Sequence, residues 1–569
     1  MSSSTSVPAS SPWLFGRGVD LWLGYGLAYL ASVPLVAWLV TSGSFGAGPV
    51  WGTAALALFF STPHYGATIL RVYDRRQDRR RYALFAVWIT AALVALFGLG
   101  LWSTFIGSLL LTAYVTWSPW HFSGQNYGLA VMYLRRRGIA FTPETKRDLY
   151  LSFVLSAVLA ILAIHVAGSS LVFANGAGDG SGTFGVLQLG LPATFTRALV
   201  ALAALAYLGL LARVARALLR QAPAAALGPV VLLVGTQALW FSMPALATAL
   251  AATDLPAGLA LPLSAVWIST AHAIQYLWVT CYYTRRTGEA AGVRSFLARS
   301  LVAGAFLSVP GFLLFPAALG GHFPNAAGAA VLVFSVVNLH HFILDGAIWK
   351  LRDGKVARAL LRPADGTEEA AEAGARRRWL RPLVVTLGAT SVVLQLYTLW
   401  LAHVASSPDT PYVVLRSAAT ELHAMGQAPP SLWARLGQLA EAESEPEVAV
   451  VAYRRAVRGD RQPPAWVADR LAWLLLARHA DDPTAVSQAL QLADYVSRIL
   501  GPEKPEGFLT LAAAHAAARE WDAAAAAAAD GLAAARAGGD QPRAQELERR
   551  LALYRQQARA PGAASVAIP

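Results

Sequence analysis

"YALFAVWITAALVALFGLGLWSTFIGSLLLTAYVTWSPWHFSGQNYGLAVMYLRRR" (Tyr82–Arg137) decides the fold. It holds two apolar runs, 83–104 and 106–134, with almost nothing between them. At 1.5 Å of rise per residue, about 20 apolar residues cross a hydrocarbon core of about 30 Å. Arginines close the stretch on both sides, in "RVYDRRQDRRRY" (71–82) and "YLRRRG" (133–138). The pair therefore reads as a membrane hairpin with a tight turn near Phe105.

The same alternation extends in both directions. Further apolar runs lie at 20–42, 48–72, 148–170, 195–217, 226–251, 258–284, 297–319, 325–350 and 382–405, giving eleven expected spans. The chain has 569 residues, of which 56% are hydrophobic. Its mean hydropathy is +0.46 and its pI about 10.0. The excess of +13 charges sits in short loops between the runs, such as "YYTRRTGEAAGVR" (282–294) and "WKLRDGKVARALLRP" (349–363). Basic loops between spans are the positive-inside signature and point away from nucleic acid as a partner. With the N-terminus cytoplasmic, the loops at 73–82, 135–147, 218–225, 285–296 and 351–381 all fall inside. The outer loops "TSGSFGAG" and "VFANGAGDGSGTFG" carry no Lys or Arg. The composition also favours Arg over Lys and is rich in Ala, as in proteins from GC-rich bacteria. The expected setting is a bacterial inner membrane, with the lipid bilayer itself as the first partner.

Residues 1–19 lack a cleavable signal pattern and read as a flexible N-terminus ahead of the membrane domain, 20–406. Residues 407–569 change character and become rich in Ala, Arg and Glu. In "LWARLGQLAEAESEPEVAVVAYRRAVRGDRQPP" the residues Leu436, Gly437, Ala449, Tyr453, Ala456 and Pro463 fall where a tetratricopeptide repeat places them. The segments after Pro464 and after Pro505 look like second and third repeats. The expected fold class is all-α: a polytopic membrane bundle with a C-terminal tetratricopeptide-like helical domain. Eleven spans put that domain in the periplasm, where the resemblance implies a protein or peptide partner, with a structural cap as the alternative.

Polar residues inside spans are expensive and mark functional sites by default. Four spans carry them: "STPHYGATILRVY" with His64, "WSPWHFSGQNYG" with His121, "STAHAIQYLWVTCYY" with His272, and "VVNLHHFILDGAIW" with His340, His341 and Asp345. All four run in the same direction. The imidazoles precede the inner basic residues by seven to fourteen positions, or about 10–21 Å. Helical spacing puts Tyr114, Trp117, His121, Gln125 and Gly128 on one stripe, His272 and Gln275 on another, and Asn338, His341 and Asp345 on a third. Pro63 and Pro119 are expected to bend their helices beside the ligands.

Neutral imidazoles converging in an apolar site suit iron first, with copper or zinc as alternatives. The expected ligands are His64, His121, His272 and His341, with His340 as an alternative ligand or supporting group. Asp345 and Gln125 are the expected proton-handling residues. Trp117, Gln275 and Asn338 are expected to line or orient the site. The segments "PHYG" and "WHFSG" resemble the Brp/Blh-type bacterial β-carotene dioxygenases, membrane proteins with a four-His iron. That resemblance implies an iron-dependent oxygenase acting on a lipophilic substrate. This chain departs from that family in span count and in its repeat domain, and the carotenoid substrate is not carried over.

Other readings remain open. One is a haem- or quinone-binding electron-transfer protein with paired His ligands. Another is a transporter or assembly scaffold. Several classes are excluded or disfavoured. Cys281 is the only cysteine, so there is no intrachain disulfide and no thiolate cluster. The four lysines lie outside span interiors, which rules out a retinal Schiff base. The first outer loop lacks the acidic residues that a lipid-linked glycosyltransferase needs. The His count is too low for a two-iron membrane desaturase.

Overall fold

In the computed structural model, the residues described are 11–42, 55–74, 76–165, 183–246, 263–288, 292–320, 322–349, 354–361, 380–458 and 463–559. Among them every regular element is helical and there is no strand. The chain divides into two compact units, Met1–His403 and Val404–Pro569, close to the boundary expected from composition.

In the first unit helices cover most of the described residues of each apolar run, but 20–42 is a pair bent by 57° and 297–319 is two helices. Among the described residues six helices are long and apolar enough to cross a membrane, and a seventh candidate is the bent pair Arg17–Gly24 and Leu27–Thr41. The helices carrying His64 (Thr62–Tyr73), His121 (Thr104–Arg136) and His272 (Ala265–Arg286) are not among those six. Their polar residues lower the mean hydropathy of the windows that contain them.

Local chemistry sets the ends of these helices. Ser103 has an extended backbone, and its hydroxyl accepts from the Ile106 N–H, capping the His121 helix. The tight turn therefore falls at Ser103, two residues before its expected place. Ser264 caps the His272 helix in the same way, through Trp267. Both helices end on arginine pairs, which favour the negative pole of the helix dipole. The His121 helix spans 33 residues and runs unbroken through Pro119. The Ser118 and Ser123 hydroxyls bond back to the carbonyls of Tyr114 and Pro119. At Pro63 the accommodation differs: the turn just before it, Ala57–Ser61, widens into a π-helix. Such bulges recur at functional sites.

One crossing fixes the position of His64. The His64 helix packs against Val293–Leu313 so closely that a Cβ on Gly66 would lie 1.8 Å from the Ser300 carbonyl oxygen. A Cβ on Gly304 would lie 1.8 Å from the Thr62 carbonyl oxygen. Only two glycines allow backbones to approach this far, as in other small-residue membrane crossings.

Residues 11–16, expected to be part of a flexible tail, are packed. The buried Asp20 carboxylate accepts the backbone N–H groups of Leu14 and Phe15 and the indole N–H of Trp278. Arg136 donates to the carbonyls of Ser11, Pro12, Trp13 and Leu360. Trp13 also packs on Tyr25 and Tyr133. Residues 1–10 lie outside the described residues.

The second unit is a stack of short helices joined by short connections. The helices Pro430–Ala442, Pro446–Arg458, Ala465–Arg478, Pro483–Leu500, Pro505–Ala517, Trp521–Ala537 and Gln541–Arg559 pack as successive neighbours. Small residues allow that contact: a Cβ on Gly437 would lie 2.5 Å from the Tyr453 ring. Much of the core is alanine, including Ala512, Ala516, Ala524 and Ala528.

Candidate metal centre

Four helices that are distant in sequence bring His64, His121, His272 and His341 together. Their ring centroids form a closed cycle: His64–His272 at 4.9 Å, His272–His121 at 5.0 Å, His121–His341 at 5.1 Å and His341–His64 at 4.2 Å. Ligand atoms of His64, His272 and His341 lie within 4.8 Å of one another, and the same holds for His121, His341 and Asp345. An imidazole nitrogen binds a metal at about 2.0–2.1 Å, which puts neighbouring ring centroids about 4.5–5.2 Å apart for ligand angles between square and tetrahedral. Three of the four observed separations fall in that range, and the fourth is slightly shorter.

Each of these histidines has a buried ring nitrogen with no hydrogen-bond partner: Nδ1 of His64, Nε2 of His121, both nitrogens of His272, and Nε2 of His341. A buried polar atom without a partner forgoes about 1–3 kcal/mol. A neutral imidazole has one lone-pair nitrogen, so the four rings offer at most four such donors, grouped as two overlapping sets that share His341. The donor set is nitrogen-rich with one carboxylate and no thiolate, which suits iron, copper or zinc.

The surrounding contacts hold the rings in place. His341 Nδ1 meets the Thr68 hydroxyl at 3.0 Å, and its Nε2 lies 3.3 Å from Asp345 Oδ2. Asp345 Oδ1 accepts from Thr68 at 3.0 Å and from the Tyr276 hydroxyl at 2.9 Å. Trp349 donates its indole N–H to Tyr276 at 3.0 Å. Phe342 stacks on His121 and Phe122 on His272, each with centroids 4.2 Å apart. Bonds to a ligand's other nitrogen and to its carboxylate neighbours fix tautomer and ring orientation.

The other expected site residues fall into three groups. Gln125 donates to the His272 carbonyl at 3.2 Å and to Gln275 Oε1 at 3.1 Å, so both glutamines lie beside the cluster. Trp117 lines the adjoining cavity. Asn338 supports the site from one residue away, accepting from the Tyr65 hydroxyl at 3.0 Å. His340 is not brought into the cluster: its Nε2 meets the hydroxyls of Tyr73 at 3.0 Å and Thr90 at 2.9 Å. One residue of helix turns it about 100° from His341, and this places it against a different neighbour.

Thr68 and Tyr276 are central to the network and were not singled out from the sequence as site residues. Each lies four positions after a ligand histidine, the spacing that identified Gln125 and Asp345. The Arg71 guanidinium packs over the Tyr283 ring at 4.0 Å and the Trp349 ring at 5.3 Å, residues just before the basic positions Arg285 and Lys350.

A cavity of about 330 Å³ adjoins the cluster. His121, Gln125, Tyr276 and Asp345 form its polar end, and Trp117, Trp120, Phe342 and Trp349 supply aromatic walls. Gly124, Gly128 and Gly346 face open space there, so the cavity exists partly because these positions have no side chain.

No family model, curated protein or solved structure matches this chain.

Proposed function

We propose that this protein is a His-ligated, metal-dependent membrane oxygenase or related oxidoreductase acting on a lipophilic substrate. The observation that carries this reading is the convergence of four imidazoles, with unpaired buried nitrogens, at the end of an aromatic cavity. His64, His121, His272 and His341 would hold the ion, with iron the first choice. Iron bound there would supply one-electron and O₂ chemistry at a point reached through the cavity.

The chain's own groups do the rest. Aromatic walls take up the apolar body of the substrate and exclude water, as is usual for small-molecule sites. Thr68 and Asp345 hold His341 in one orientation. Asp345 and the Tyr276 hydroxyl form a proton-holding pair at the edge of the cavity. Gln125 presents its amide at the same edge. Convergence on one point favours a single ion over two haems, each of which would need its own pair of axial ligands with a clear porphyrin plane between them.

The eleven apolar runs are read as eleven spans, with the basic loops inside and the second unit in the periplasm. In that unit a hollow is lined by Gln438, Glu441, Tyr453, Trp466, Asp469 and Arg470. Stacked tetratricopeptide-like helix pairs carrying such a hollow suit a peptide or protein partner.

Metal analysis of detergent-purified protein tests the central claim. Wild type should carry stoichiometric metal, and His64→Ala and His272→Ala should each lose it. Unchanged metal content in both variants, or wild-type protein that takes up no metal on reconstitution, would return these residues to helix packing.

A further inference from the structure

A second cavity, of about 270 Å³, is lined in part by Thr270, Ala271, Ile274 and Gln275 of the His272 helix. Tyr29, Phe60, Trp240 and Trp267 are among its walls. Trp22 and Leu23, also on the lining, are 51% and 41% exposed. On a membrane helix that exposure means contact with hydrocarbon, so the cavity has a lateral rim facing the bilayer.

Two polar groups in this apolar wall lack a partner, the Trp240 indole N–H and the Gln275 amide, and the second also adjoins the first cavity through Gln125. Gln275 lines the second cavity, is 1% exposed, and its amide nitrogen makes no hydrogen bond. The assignment of that nitrogen follows from the neighbouring contacts. The Gln125 amide touches the His272 carbonyl, which can only accept, so Gln125 must turn its nitrogen toward it. The same nitrogen lies 3.1 Å from Gln275, which must answer with its oxygen. The –NH₂ of Gln275 is left as the unpaired donor. Gln125 lines the first cavity and Gln275 the second, so the two cavities meet at this amide pair.

We infer that the second cavity binds a lipophilic carbonyl compound whose oxygen accepts from Gln275 Nε2. A buried donor in apolar surroundings rewards an acceptor and gives nothing to a hydrocarbon. Depth excludes a phospholipid ester as the natural occupant. Gln275 lies ten residues before Arg285, or about 15 Å along the helix, close to the middle of a core about 30 Å thick. Ester carbonyls stay in the interfacial layer, so the oxygen must sit within an otherwise apolar molecule such as a ketone, an aldehyde or a quinone. This inference stands whether or not the imidazoles hold a metal.

The test uses two photoreactive probes on the full chain in detergent: an eighteen-carbon ketone with a terminal diazirine, and the same molecule with a methylene in place of the carbonyl. In wild type the ketone should label peptides containing Trp22 or Trp267 saturably, with about 5–10-fold tighter half-saturation than the methylene probe. Gln275→Leu should label equally with both. Ala271→Trp, which fills the cavity from the same helix, should abolish labelling by both. Helicity and size-exclusion profile report whether each variant folds, and either variant alone suffices. Equal labelling by the two probes in wild type would overturn the inference. So would a ketone preference that survives Gln275→Leu, or labelling that survives Ala271→Trp. Metal content is read separately, so a metal-free chain that still prefers the ketone would sink only the metal reading.

Discussion

In the second unit, Glu441 meets both Arg470 and the Tyr453 hydroxyl, and Glu546 meets Arg549 and Arg550. In the membrane unit, His64, His121 and His272 each keep a buried ring nitrogen that meets nothing. Both units are helical and both use glycine and alanine to bring helices close. They differ in what happens to polar groups away from water. At the second unit's surface a charge finds an opposite charge or solvent, and each pair adds little to stability. In the bilayer an unpaired imidazole has no solvent to fall back on. The grouping of such nitrogens on helices distant in sequence is the observation on which the metal proposal rests.

The largest expected contrast comes from glycine replacement in each unit. Gly66→Leu sets a side chain against the Ser300 backbone, which cannot turn aside. Overpacking of this kind commonly costs about 1–3 kcal/mol, and a backbone obstruction belongs at or above the top of that range. Because Gly66 lies two residues from His64, the variant should lose its metal as well as thermal stability. Gly437→Ala meets only the Tyr453 ring, which can tilt. Its effect should be smaller and confined to hydrogen exchange over 430–458, with full metal content. Metal retained by Gly66→Leu would separate the crossing from the site and break the comparison.

Next in size is the hydrogen-bond network behind His341. Asp345→Asn and Thr68→Val leave the four imidazoles in place but remove what orients one of them. Loss of such supporting bonds typically lowers metal affinity about 10–100-fold. Competition with a calibrated chelator should show that drop in both variants. A loss confined to Asp345→Asn would indicate that the carboxylate binds the ion directly.

The sequence made the four histidines visible for the reason that they are costly: polar rings stand out in apolar runs. It also made the helices visible, since hydropathy and basic loops are properties of segments. What stayed hidden depends on pairs of helices. Thr68 and Tyr276 are ordinary residues for a membrane helix, and only the neighbour across the interface makes them important. The Gly66–Ser300 approach was hidden for the same reason. The adjacent pair His340 and His341 could be ordered from the stripe that His341 shares with Asn338 and Asp345, but the partners of His340, Tyr73 and Thr90, could not be read from it.

That pair supplies a sharper prediction of moderate size. His340→Ala removes the contacts to Tyr73 and Thr90 and leaves the imidazole cycle untouched. Stability should fall by about 1 kcal/mol, the usual worth of a lost hydrogen bond. Metal content should equal that of wild type, whereas His341→Ala should lose it. Parallel metal loss in both would put the two neighbours on one site and contradict the separation of their faces.

The smallest effect belongs to the second unit and concerns a titrating group. Asp469 accepts from the Thr510 hydroxyl, and burial raises its pKa above the usual 3.8, against the lowering effects of that bond and of Arg470. The folded chain therefore holds this proton more tightly than the unfolded chain does. It follows that the carboxylate opposes folding once pH exceeds the raised value, and that the opposition vanishes below about pH 3.8. Asp469→Asn keeps an acceptor for Thr510 and removes the charge. It should stabilise the unit at neutral pH by no more than about 0.5 kcal/mol, the scale of partly exposed substitutions. The gain should shrink on acidification, read by hydrogen exchange over 465–517 in the full chain. A gain independent of pH would assign the effect to packing. A loss at neutral pH would mean that the attraction between the Asp469 charge and Arg470 outweighs the cost of its burial, and the second unit would then hold a buried charge to advantage.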